Sequence, residues 1–129
     1  MSPQGFPRTL RLLSAGDFRY VFAQADLKIH AKGMLVLARF NRCGHARIGL
    51  VAGKKNVKLA VERNRFKRLA RESFRLRQEK LPTVDVVLLA RRGVDDMDNA
   101  MLQRQLHGLW KRLQRDALRH GNTTAPAKT

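Results

Sequence analysis

The residues with the clearest chemical potential are cations crowded into one stretch. Residues 54–77 contain ten basic side chains (Lys54, Lys55, Lys58, Arg63, Arg65, Lys67, Arg68, Arg71, Arg75 and Arg77) against two acidic ones, Glu62 and Glu72. At about 100° per residue, Asn64, Lys67, Arg68, Arg71 and Arg75 fall on one face of a helix, and Phe66, Leu69, Ala70, Ser73 and Phe74 fall on the opposite one. Helices that merely face water mix signs at i, i+4 spacing for a few tenths of a kcal/mol per pair, yet Arg63, Lys67 and Arg71 repeat one sign. Six of the ten are arginine, whose planar fork donates two parallel hydrogen bonds to a phosphate. A solvated face with an excess of arginine is the plainer reading of this pattern. The whole chain argues for more: 27 Lys and Arg stand against 10 Asp and Glu, a net charge of +17. A charge that far from zero points to a polyanionic partner, nucleic acid above all.

Groups for independent catalysis are lacking in this reading. The one carboxylate cluster, Asp95, Asp96 and Asp98, precedes an apolar helical stripe and is expected to cap it. His30, His45, His107 and His120 are scattered, with no metal-ligand spacing. There is no glycine-rich phosphate loop and no nucleophile elbow, and Cys43, the single cysteine, has no partner base. Catalytic residues and metal ligands are therefore expected to be none. One cysteine also excludes an intramolecular disulfide and fits a reducing cytosol.

The elements that must position the basic stretch follow from periodicity. A length of 129 residues allows one domain, expected over residues 1–118, with a small, polar, disordered tail over residues 119–129. A capping box at Ser14, with Leu13 placed to staple onto Phe18, predicts a helix over Ala15–Gln24. Phe18, Val21, Phe22 and Ala25 form its apolar stripe, as in any buried helix. Strands are predicted over residues 34–40, 47–52 and 85–90, with turn residues 41–44 joining the first two as a hairpin. A closing helix carries Leu102, Leu106, Leu109, Trp110 and Leu113 towards Leu118. The order is α+β, an α/β sandwich around a small mixed sheet. The longest apolar runs, residues 34–38 and 86–90, are too short to cross a bilayer, and residues 1–13 lack the apolar segment of a secretion signal, so a cytoplasmic location without membrane contact is expected. Phe66, Leu69 and Phe74 are needed to cover the sheet, which disfavours a membrane-surface helix. A strand, not a helix, leads into the basic stretch, which disfavours duplex DNA readout by a helix-turn-helix.

The basic stretch resembles the signature of the protein component of bacterial ribonuclease P. The residues that carry the resemblance are Lys54-Lys55-Asn56-Val57, Glu62-Arg63-Asn64-Arg65-Phe66-Lys67-Arg68-Leu69 and Arg71-Glu72-Ser73-Phe74-Arg75. Phe6-Pro7-Arg8, Phe18 with Phe22, Arg47-Ile48-Gly49-Leu50 and Arg92-Gly93-Val94 also follow the family's order. The resemblance implies a four-stranded mixed sheet with about three helices and a left-handed β-α-β crossover. It implies a cofactor of a catalytic RNA that removes the 5′ leader from precursor transfer RNA, with hydrolysis and Mg2+ belonging mainly to the RNA. Arg63, Asn64, Arg65, Lys67, Arg68, Arg71 and Arg75 would dock on that RNA. Phe18, Phe22 and Val36 would line a cleft for the single-stranded leader, and Lys54 and Lys55 would contact its phosphates. The alternative, resting on charge and fold alone, is a structural RNA-binding protein such as a ribosomal component.

Overall fold

Val84–Ala90 is apolar on both faces except at Asp85, so it must be flanked on both edges and covered on both sides. That requirement organises the molecule. The structure is a computed structural model that describes the backbone of residues 15–41 and 44–128, and side chains over residues 18–41 and 44–119. Its elements are α1 (Ala15–Gln24), β1 (Leu27–Ala31), β2 (Met34–Phe40), β3 (Arg47–Val51), α2 (Ala60–Arg77), β4 (Val84–Ala90) and α3 (Asn99–Lys128), with short 3-10 turns at Gln78–Lys80 and Val94–Asp96. Ser14, Leu13, Phe6-Pro7-Arg8 and Cys43 lie outside the described residues.

The strands form one sheet in the order β1-β2-β4-β3, with β4 antiparallel to β2 and parallel to β3. The expected hairpin between residues 34–40 and 47–52 is therefore corrected: β4 sits between those strands. Turn residues permit a hairpin but do not compel one, and burying both faces and both edges of β4 outweighs the local pairing. The hairpin that does form joins β1 to β2, with Ala31 opposite Met34. Gly33 takes φ 73 in that turn, a left-handed conformation that glycine adopts without strain. The signal for β1 is in the sequence, since Leu27, Ile29 and Ala31 alternate with Lys28 and His30.

Two apolar layers lie on opposite faces of the sheet. The larger gathers Ile29, Met34, Val36, Ala38, Ile48, Val86 and Leu88 from the strands with Phe66, Leu69, Ala70 and Phe74 of α2 and Leu102, Leu106, Leu109, Trp110 and Leu113 of α3. Phe74 meets Trp110 edge to face at 5.6 Å, and Trp110 Nε1 donates to Ser73 Oγ at 2.8 Å, which satisfies the one polar group of that aromatic corner. The smaller layer holds Val21, Leu37 and Val87, with Phe18, Ala25, Leu35, Val51 and Leu89 packed against it. The protein is thus α1, sheet, then α2 with α3. Of the three candidate caps, Asp98 starts α3: its carboxylate accepts from the Met101 N–H at 2.8 Å. The backbone of α3 stays helical to Lys128, where the composition of residues 119–129 suggests a disordered tail. The stripe that packs this helix reaches Ala117, and the added turns prolong a helix already nucleated by that packing.

Candidate RNA interface

α2 presents its charge in one row. Phe66, Leu69, Ala70 and Phe74 are buried under it, while Asn64, Arg68 and Arg75 are exposed and Lys67 and Arg71 partly so. The row thus keeps the expected amphipathic division. Arg75 approaches Glu72 at 3.8 Å, an exposed i, i+3 pair too weak to neutralise the face.

The two arginines flanking Asn64 point elsewhere. Nη1 of Arg63 donates to the carbonyls of Val57 and Lys58, both at 2.9 Å. Arg65 engages all three of its nitrogens: Nε with Glu62 Oε1 at 2.9 Å, Nη1 with Asn99 Oδ1 at 2.7 Å and Nη2 with the Met97 carbonyl at 2.8 Å. On a helical projection these residues lie about 100° to either side of Asn64, so the signal for their separate behaviour was present in the spacing. Which neighbours they would reach was not.

Lys54 and Lys55 are exposed in the turn between β3 and α2. The turn is tied down from both ends. Gly53 O accepts from the Asn56 and Val57 N–H groups at 3.2 and 2.9 Å, and the Asn56 side chain donates to the Ala90 carbonyl at 3.2 Å.

On the other side of the sheet, α1 buries Val21 completely, packs Phe18 partly and leaves Phe22 46% exposed. Val36, expected beside them, is corrected: it is 0% exposed and belongs to the layer under α2 and α3. Successive strand residues alternate faces, so Leu35 and Leu37 are the β2 residues on the α1 side. Sequence reasoning also passed over Tyr20, which is exposed. The Arg39 guanidinium stacks 4.0 Å from its ring centroid and donates to its hydroxyl at 3.0 Å. At the same end of the sheet Arg47 forms a bidentate pair with Asp85, at 2.8 and 2.7 Å, and Asn41 Nδ2 donates to the same carboxylate at 2.7 Å. This knot joins β3 to β4 in parallel register.

Among the described residues, no three His, Cys, Asp or Glu side chains converge as a metal site, and no helix is long and apolar enough to cross a membrane. Asp95 and Asp96 lie in the 3-10 turn before α3.

The model of the ribonuclease P protein family matches residues 6–114, which includes both the basic helix and α1. The chain belongs to the ribonuclease P protein family. It is 58% identical over 127 residues to the ribonuclease P protein component of Chromohalobacter salexigens, covering 98% of this chain and 99% of that one. It is 50% identical over 127 residues to that of Pseudomonas aeruginosa, covering 98% of this chain and 92% of that protein. Among solved structures, the ribonuclease P protein of Staphylococcus aureus superposes with a TM-score of 0.72 at 25% identity, covering 84% of this chain and 94% of that one. That of Thermotoga maritima gives 0.69 at 29% identity, covering 79% and 96%. The α+β fold with its four-stranded mixed sheet is thus a ribonuclease P protein fold. Family membership also decides between the two RNA-binding readings that charge alone left open.

Proposed function

We propose that this chain is the protein subunit of a ribonuclease P and assists a catalytic RNA in the endonucleolytic removal of the 5′ leader from precursor transfer RNA in the cytoplasm. The observation that carries the reading is the outer row of α2, in which Asn64, Lys67, Arg68, Arg71 and Arg75 stand together over a fully packed inner face. The four cations of that row dock on an RNA backbone by releasing condensed counterions, at roughly 0.7–0.9 units of log K per log salt for each phosphate neutralised. The second contact surface lies across the sheet. Phe22, half exposed on α1, offers a ring face on which a leader base stacks, and Phe18, one turn earlier, packs with the layer of Leu35, Leu37 and Val87. Lys54 and Lys55 supply phosphate contacts from the turn that follows β3. Such contacts read backbone and stacking rather than sequence, which suits leaders of varied sequence.

The hydrolysis uses Mg2+ held mainly by the RNA. The described residues of this chain do not fit a metal cage, since no three acidic, His or Cys ligands converge, and no step is assigned to a metal on the protein. The deciding experiment is cleavage of 5′-labelled precursor transfer RNA at low magnesium by protein alone, by bacterial ribonuclease P RNA alone, and by both. Cleavage stimulated only on combination is the expected result. Failure to stimulate the RNA would reject the reading, and cleavage by pure protein would place catalytic groups in the chain itself.

A further inference from the structure

The start of α2 is anchored in an unusual way. Its N-cap residue is Leu59, which makes no side-chain capping bond, so the first turn lacks the oxygen acceptor that Ser, Thr, Asp or Asn would provide. Two arginines hold that end instead. Arg63 closes on the carbonyls of Val57 and Lys58, in the segment that carries Lys54 and Lys55. Arg65 reaches the Met97 carbonyl and the side chain of Asn99, the first residue of α3, while Glu62 holds its Nε. Its side chain is 19% exposed.

We propose that Arg65 is a positioning residue: its guanidinium locks the beginning of α2 to the beginning of α3, so that the basic row reaches RNA as a preformed surface. Three of the five N–H donors of Arg65 are thus held by protein acceptors on a side chain that is largely covered, which leaves two for any phosphate. Arg68 makes no such tie among the described residues and lies exposed in the row. The four cations of the row, Lys67, Arg68, Arg71 and Arg75, bring like charges to i, i+3 and i, i+4 spacing, so the helix that carries them gains from an anchor outside the row. A fork with three fixed acceptors supplies that anchor, whereas a lysine reaches one or two of them as a point charge. The inference rests on the reading that the basic row docks on the RNA subunit.

The test measures affinity for ribonuclease P RNA against salt concentration, well below the unfolding midpoint, for Arg65→Ala, Arg65→Lys, Asn99→Ala and Arg68→Ala, with thermal unfolding of each. Arg68→Ala is expected to lower the salt slope by about 1 with little change in unfolding temperature. Arg65→Ala is expected to weaken binding by roughly 2- to 30-fold with the slope unchanged, and Arg65→Lys to restore little of the loss despite keeping the charge. Asn99→Ala, an uncharged change on another helix, is expected to reproduce part of the loss and to add nothing further on top of Arg65→Ala. If Arg65→Ala prevents folding, Arg65→Lys and Asn99→Ala carry the same comparison. A slope lowered by about 1 in Arg65→Ala and restored by lysine would make Arg65 a phosphate ligand and overturn the proposal. Unchanged affinity in a less stable Arg65→Ala protein would leave it no positioning role. An unchanged slope for Arg68→Ala would overturn the docking reading itself, and the proposal with it.

Discussion

Phe22→Ala is expected to separate the proposed leader binding from folding. The Phe22 ring is 46% exposed, so its truncation removes roughly half of the burial that a core phenylalanine contributes. The folding loss is then about 1–2 kcal/mol, against about 3–5 kcal/mol for a fully buried Phe→Ala change. A base stacked on an aromatic ring is worth about 1–3 kcal/mol. At about 1.4 kcal/mol per decade, losing it weakens precursor binding by roughly 5- to 150-fold. The assay is equilibrium binding of the assembled holoenzyme to precursor and to mature transfer RNA at one salt concentration. Mature transfer RNA has no leader, so its affinity is expected to stay within about twofold. Val21→Ala on the same helix supplies the contrast. Val21 is 0% exposed, so its truncation lowers stability by about 1.5–3 kcal/mol and leaves the ratio of the two affinities unchanged. Equal losses for both RNAs with Phe22→Ala, or a selective loss with Val21→Ala, would refute the reasoning.

Three further outcomes concern the frame that holds these surfaces. Asp85→Ala removes the carboxylate acceptor shared by Arg47 and Asn41, whose Nδ2 keeps the His45 carbonyl at 3.3 Å, and because these groups keep some solvent contact the cost is about 2–3 kcal/mol; thermal unfolding reads it, and Asp85→Leu combined with Arg47→Met is expected to recover much of the loss. Ser73→Ala leaves the buried Trp110 N–H without an acceptor, for about 1–3 kcal/mol in chemical denaturation. Gly33→Ala places a methyl 2.6 Å from the Met97 side chain and 3.1 Å from the Val94 backbone at φ 73, and is expected to lower the unfolding temperature by several degrees, at a cost of about 1–3 kcal/mol. A wild-type midpoint in any of these single variants would remove the corresponding tie from the account.

The amphipathic division of α2 was legible in the sequence because a helix that covers a sheet must repeat its apolar residues every three or four positions. Phe66, Leu69, Ala70 and Phe74 are buried as that spacing requires. The bounds of α1 and the Asp98 cap were legible for the same reason: they depend on neighbours within one turn. β1 was not among the strands read from the sequence, although Leu27, Ile29 and Ala31 alternate with Lys28 and His30, because the turn residues after β2 drew the pairing elsewhere.

Strand order depended on which surfaces remain to be buried once all elements are present, and only the assembled sheet places β4 between β2 and β3. The face taken by Val36 turned on a register that shifts by a whole side with one residue, so local hydrophobicity could not separate it from Leu35 and Leu37. Arg63 and Arg65 share residue type and helix with Arg68, and what distinguishes them is contact outside the row: Arg63 with the carbonyls of Val57 and Lys58 just before the helix, Arg65 with Met97 and Asn99 far along the chain. Composition and period determined that this protein carries a basic face for RNA; tertiary structure decided which of its cations are turned outward, because a hydrogen bond is settled by the position of both partners.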